Sequence, residues 1–322
     1  MKPLRTLVPL ALVLCSGTLL ATAAEAQFGS IGSVVKHLPV KAPAVPDLLS
    51  GPAPVSTSIK DATYGDPSKD GFTPREPARA LTSLARSADG GFVLAPGYYT
   101  MLAQSYCLHA GTHGPGGGDA YLFAYVKGSA RDAVVSILHN SVAHPEIEQH
   151  DIQLLLWAIV ARAKFEDLDT RLKAVAARLL TTRQLAGLNR SALGVLTSPQ
   201  LASVTGGMPG PVRTIVEAES RMRGLLTTPG SSYSEIERVA VLGGLAPKGP
   251  GSIDVPASRW SLHPDGFWVR YRPNSYTNTQ VEVWVPQGSK AVGKTYDPGN
   301  SIAVPANTAR QRLAQSGRVY AR

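Results

Sequence analysis

Cysteine is almost absent. Cys15 and Cys107 are the only two in 322 residues. Cys15 falls inside an N-terminal apolar stretch that reads as a leader, which leaves Cys107 alone in the remainder. A single cysteine cannot close an internal disulfide, so the stapled scaffold of many exported domains is excluded. Cys107 is then an inert buried thiol, an intermolecular bridge, a nucleophile, or the sulfur of some other covalent bond. Long apolar runs are also missing after the leader, so no further membrane-crossing helix is expected. Runs of basic residues are missing too. The net charge of +9 favours acidic partners such as anionic glycans or lipid A. It is dispersed, without the basic stripe and interleaved aromatics of a nucleic-acid surface, so no nucleic acid is expected.

What is present begins with residues 1–26. Lys2 and Arg5 precede the apolar stretch Leu7 to Leu20, and Ala24-Glu25-Ala26 fits small-x-small cleavage before Gln27. This predicts a secreted, periplasmic or outer-surface protein. Residues 27–77 carry eight prolines and read as an extended, disordered linker. Residues 78–246 read as a mainly helical core. Ala78, Leu81, Leu84 and Ala85 recur at helical spacing, and Tyr98, Met101, Leu102 and Ser105 allow a further short helix. Ile152, Leu155, Leu156, Ile159 and Val160 form the clearest apolar helix face. Helices also fit 168–180, 182–188, 199–204, 212–226 and 233–242, the last opened by a Ser232/Glu235 capping box.

Residues 247–322 change pattern. Phe267-Trp268-Val269-Arg270-Tyr271-Arg272 and Gln280-Val281-Glu282-Val283-Trp284-Val285 alternate, which predicts an antiparallel hairpin with Phe267, Val269 and Tyr271 facing Val281, Val283 and Val285. Arg310–Arg322 reads as a basic, solvated tail. The expected fold class is therefore mainly α (α+β): a helical core with short strands and a C-terminal β hairpin module.

The chemistry concentrates between Tyr106 and Trp157. Five of the seven histidines, His109, His113, His139, His144 and His150, lie in this window with Cys107. The loop Gly111-Thr112-His113-Gly114-Pro115-Gly116-Gly117-Gly118 lacks the Gly-Lys-Ser/Thr ending of a phosphate cradle, so it reads as a connection and no cofactor is expected. Gln153 sits on the flank of the most apolar helix. Burying an unpaired amide is costly, so it needs a partner. One partner is a loop backbone. The other is Cys107, whose sulfur would attack the amide, expel ammonia and leave an internal thioester.

Tyr106-Cys107-Leu108-His109 and Ile152-Gln153-Leu154-Leu155-Leu156-Trp157 resemble the paired cysteine and glutamine motifs of bacterial surface thioester domains. The resemblance covers these two motifs and the Pro-bearing loop after the cysteine. It implies an adhesin-like module that acylates an amine or hydroxyl on a cell-surface protein or glycan through Cys107 and Gln153. The chain as a whole resembles exported bacterial proteins.

Three other readings stand beside it. A cysteine hydrolase or acyl transferase would use Cys107 with His109, His113, His139 or His150 as base and Asp119 or Asp151 as its orienter. A metal site would draw on His109, His113 and His150 or Cys107. A structural envelope protein would keep Cys107 inert. Trp260, Trp268 and Trp284 could stack on a glycan but fit packing better.

Overall fold

The computed structural model describes residues 51–249 and 251–321. The leader and the first half of the proposed linker lie outside the described residues. The stretch that allowed a short helix before Cys107 is instead an eleven-residue strand, Gly97–Cys107 (β1). Around it run Tyr121–Tyr125 (β2), Trp268–Pro273 (β3), Asn278–Val285 (β4), Ser301–Pro305 (β5) and Leu313–Val319 (β6). Their order is β3-β4-β1-β6-β5-β2, all neighbours antiparallel, and Tyr121 opposite Tyr271 returns β2 to β3. The result is a closed six-stranded antiparallel barrel, which overturns the expectation of a helical core. Among the described residues, each of the six barrel strands pairs with two others, which limits the free edge open to another chain.

The anticipated hairpin exists, with Val269 opposite Val283 and Tyr271 opposite Val281. It is not a separate module, because β4 continues its pairing onto β1, with Val281 opposite Met101 and Val283 opposite Tyr99. These side chains are buried together and fill the barrel wall. The expected tail is also a strand: β6 places Leu313 opposite Cys107 and is the neighbour of β1 on the side away from β4. Ala78–Ala80, read as helix, is a short strand parallel to β1. Residues 51–77 are not a free linker either. Val55, Ile59 and Ala62 are buried in the main core, and Thr57 Oγ1 donates to the Tyr125 carbonyl at 3.0 Å.

Seven helices lie outside the barrel among the described residues: Arg131–Val142 (α1), Gln149–Val160 (α2), Thr170–Leu179 (α3), Thr182–Arg190 (α4), Ser198–Thr205 (α5), Gly210–Leu226 (α6) and Tyr233–Ala240 (α7). α2 is the central one. Every residue from Asp151 to Val160 is buried, because barrel and helices enclose it on all sides. It packs on β1, α1, α3, α6 and α7. α7 starts on the anticipated capping box: Glu235 N–H donates to Ser232 Oγ at 3.3 Å, and Ser232 N–H donates to Glu235 Oε2 at 2.7 Å.

α7 is tied to the chain that leaves β1. Gly111 N–H donates to the Ala240 carbonyl at 3.0 Å, and Thr112–His113 pairs in parallel with Val241–Leu242. Gly111 has φ +64°, and a Cβ there would meet Ala218 Cβ at 2.7 Å. Glycine is therefore required where the backbone turns left-handed against α6.

Candidate functional site

Cys107 closes β1 with a fully buried side chain. Its main chain faces α2 and meets the Gln153 side chain at both polar ends. Cys107 N–H donates to Gln153 Oε1 at 2.8 Å, and Gln153 Nε2 donates to the Cys107 carbonyl at 3.1 Å. The amide thus occupies the position of one residue of a neighbouring strand. One turn back on the same helix, Gln149 Nε2 donates to the carbonyls of Ser105 at 3.2 Å and Thr277 at 2.7 Å. The two glutamines dock α2 onto the end of β1 at the β3–β4 turn. The structure brings Cys107 and Gln153 together, residues 46 positions apart in sequence.

An aromatic group covers the place. Trp157, one turn beyond Gln153, is fully buried and packs on Tyr233 of α7 and on Tyr276 of the β3–β4 turn, with ring centroids 5.5 and 6.4 Å apart. His150 stacks on Tyr233 at 3.9 Å. Tyr233 and Tyr276 share a hydroxyl contact of 3.1 Å, and the Tyr276 hydroxyl donates to Glu237 Oε1. Sequence reasoning missed Tyr233, Tyr276 and Glu237. Nothing local marks them, because a loop and a distant helix converge only through the barrel.

The electrostatics oppose a free thiolate. Burial, and after it the negative charge of Glu237, push the Cys107 thiol well above its ordinary range. Burial also raises the Tyr233 and Tyr276 hydroxyls, so these stay protonated at neutral pH. Trp157 Nε1 and Tyr121 Oη are buried without a hydrogen-bond partner among the described residues.

The histidines and carboxylates named from sequence scatter. His109 borders a cavity of about 30 Å³ with Glu219, Arg162 and Arg312. Burial and the Arg312 charge push its pKa well down, so it is neutral. His113 Nδ1 lies 2.9 Å from the Gly243 carbonyl. His139 Nε2 contacts Asp297 Oδ1 at 2.8 Å, and that contact raises its pKa. Asp119 pairs with Arg310, and Asp151 with Arg171 at 2.9 Å. No histidine hydrogen-bonds the Cys107 side chain among the described residues, and neither carboxylate orients one of the four histidines. Among the same residues, no group of three or more His, Cys, Asp or Glu side chains could hold a metal ion. The tryptophans pack: Trp260 is fully buried beside Tyr98, and Trp268 stacks on Trp284 at 6.2 Å. No described helix is long and apolar enough to cross a membrane.

No family model matches the chain, and no curated protein or solved structure is found to be similar to it.

Proposed function

We propose that this is an exported, envelope-associated protein whose Cys107 and Gln153 form an internal thioester for covalent attachment to a cell surface. The observation that carries the reading is the two-point contact between the Gln153 amide and the Cys107 peptide. It fixes the amide beside the one cysteine of the described residues. The contact is with the Cys107 peptide and brings the amide close to its residue; holding two reactants close turns a bimolecular step into an intramolecular one. The balance is simple. The Sγ–Cδ bond forms, the Cδ–Nε2 bond breaks, and the thiol proton leaves with the nitrogen as ammonia. The product holds its acyl group in a dry site until an amine or hydroxyl of a surface protein or glycan displaces the sulfur.

A free-thiolate hydrolase draws less support. Its nucleophile would need a lowered pKa and a histidine in contact, whereas the thiol here is pushed up and has no histidine hydrogen-bond partner among the described residues. A structural role is favoured by one observation: both polar atoms of Gln153 are satisfied by backbone, as a buried amide requires.

A thiol reagent separates the readings on native protein. A thioester leaves no titratable thiol until methylamine is added, and one thiol per chain appears afterwards. A thiol that reacts without methylamine contradicts the proposal. So does one that appears only on unfolding and is indifferent to methylamine.

A further inference from the structure

α4 carries a charged side that no described group neutralises. Arg183, Gly187 and Arg190 follow i, i+4, i+7, so they share one side of the helix. That side borders a groove of about 890 Å³, shared with α1, the end of α2 and Gly51, Pro52 and Pro54. The volume falls in the range of small-ligand sites, about 300–1,000 Å³. Gln184 holds the wall together: its Nε2 donates to the Asp132 carbonyl at 3.1 Å and to Ser136 Oγ at 2.7 Å, both on α1. Seven residues of helical rise set the two arginines about 10 Å apart along α4. Gly187 leaves a notch between them. A Cβ there would meet only Arg190 Nη2, at 3.9 Å.

The charges of this groove are uneven. Arg183 and Arg190 are exposed and make no ion pair among the described residues. Arg162, the third guanidinium, is committed to the Gly51 and Pro52 carbonyls at 3.1 and 2.9 Å. The one carboxylate of the lining, Asp132, is held by Arg131 at 2.9 Å. Two guanidiniums without a counter-charge call for anions, and their planar fork suits a carboxylate or phosphate. The hydroxyls call for something else. Ser129 Oγ donates to the Pro52 carbonyl at 3.2 Å, and Ser191 Oγ donates to the Leu188 carbonyl at 3.1 Å. Each has spent its one proton and keeps acceptor lone pairs, which take hydrogen bonds from a ligand hydroxyl. Ile159 and Phe165 supply an apolar floor. Acidic groups, hydroxyl donors and apolar ring faces occur together in an acidic sugar chain. We propose that this groove binds a short acidic oligosaccharide, with Arg183 and Arg190 each taking one of its acidic groups. Neither Cys107 nor Gln153 lines the groove, so the site stands without the thioester.

The test is calorimetric titration of the full chain at physiological salt. Tetragalacturonate is the acidic sugar, maltotetraose its uncharged counterpart, and tetraglutamate an anion without hydroxyls. Wild type should bind tetragalacturonate, and bind the other two at least about tenfold more weakly. Arg183→Gln and Arg190→Gln should each weaken tetragalacturonate binding about tenfold or more, the loss of one hydrogen-bonded charge. Gly187→Leu fills the notch without changing charge and should weaken it too. Arg221→Gln removes an exposed arginine outside the groove lining and should bind as wild type does. Thermal melts establish that each variant is folded. Failure of wild type to bind tetragalacturonate overturns the proposal. Equal binding of tetraglutamate makes this a general anion groove and overturns the sugar assignment. Equal binding of maltotetraose overturns the acidic one. A loss in R221Q as large as in R183Q shows attraction by net charge alone and overturns the site.

Discussion

Gln153 stands to Cys107 as one strand residue stands to its neighbour. Its amide accepts from the cysteine N–H at 2.8 Å and donates to the cysteine carbonyl at 3.1 Å. At its end β1 therefore pairs with Leu313 of β6 on one edge and meets a side chain of α2 in place of a strand on the other. Both partners are buried, so the contact is unshared with solvent.

Removing that amide should be costly whatever the chemistry. Gln153→Ala strands the Cys107 N–H and carbonyl in the core and opens a cavity. Each buried, unsatisfied group costs about 1–3 kcal/mol, and the cavity adds to this. Urea unfolding should place Q153A about 2–5 kcal/mol below wild type. A variant within 0.5 kcal/mol or so of wild type, the usual range for surface changes, would show that the contact does not organise the site.

Stability should fall as pH rises toward neutrality, and Glu219 should be a main cause. Burial outweighs the nearby Arg162 and Arg223 and lifts its carboxyl from 4.5 to about 7. The folded value exceeds the unfolded one, so folding favours the protonated form. That contribution is complete below about pH 4.5 and is lost as pH rises through about 7. Glu219→Gln should flatten this part of the profile. At pH 8 it should be more stable than wild type by up to about 3 kcal/mol, the free energy of such a shift. Thermal melts of both proteins at pH 5 and pH 8 check this, and parallel curves would contradict it.

The loop beyond the cysteine should tolerate change at one glycine and not at another. A Cβ on Gly111 would press on Ala218 Cβ at 2.7 Å and the Thr214 carbonyl at 3.0 Å, with φ at +64°. Gly117 has open space around it. Gly111→Ala should lose about 2–4 kcal/mol, combining backbone strain with overpacking, and Gly117→Ala should stay near wild type. Equal effects in denaturant unfolding would show that α6 yields at the contact.

The helices were legible in the sequence and the barrel was not, for physical reasons. Ile152 to Val160 kept its helical face, and Ser232 with Glu235 announced the start of α7. β1 hid because it is covered on both faces. Its residues are nearly all buried, so Tyr98, Met101, Leu102 and Ser105 fell on a helical spacing with no polar alternation to contradict it. β6 hid for the opposite reason. Gln315 and Ser316 are fully buried, yet their polarity and the basic residues around them read as a tail. Residues 51–77 looked like a linker from their prolines, although Val55 and Ile59 anchor them. At the site, Cys107 and Gln153 were legible because one is a lone thiol and the other a misplaced amide. Tyr233 and Glu237 on α7 and Tyr276 in the β3–β4 turn come from two elements far apart in sequence that only the closed barrel and its helices draw together.

The central claim is the bond between Cys107 and Gln153, and intact mass measures it directly. The protein, purified fresh, without heating and free of amines, should weigh less by one ammonia than the sequence from its own measured N-terminus. Methylamine should raise the mass by one methylamine and free the thiol, and Gln153→Ala should show the full mass calculated for that variant. A wild-type mass equal to that of the unmodified sequence from the same N-terminus would contradict the account.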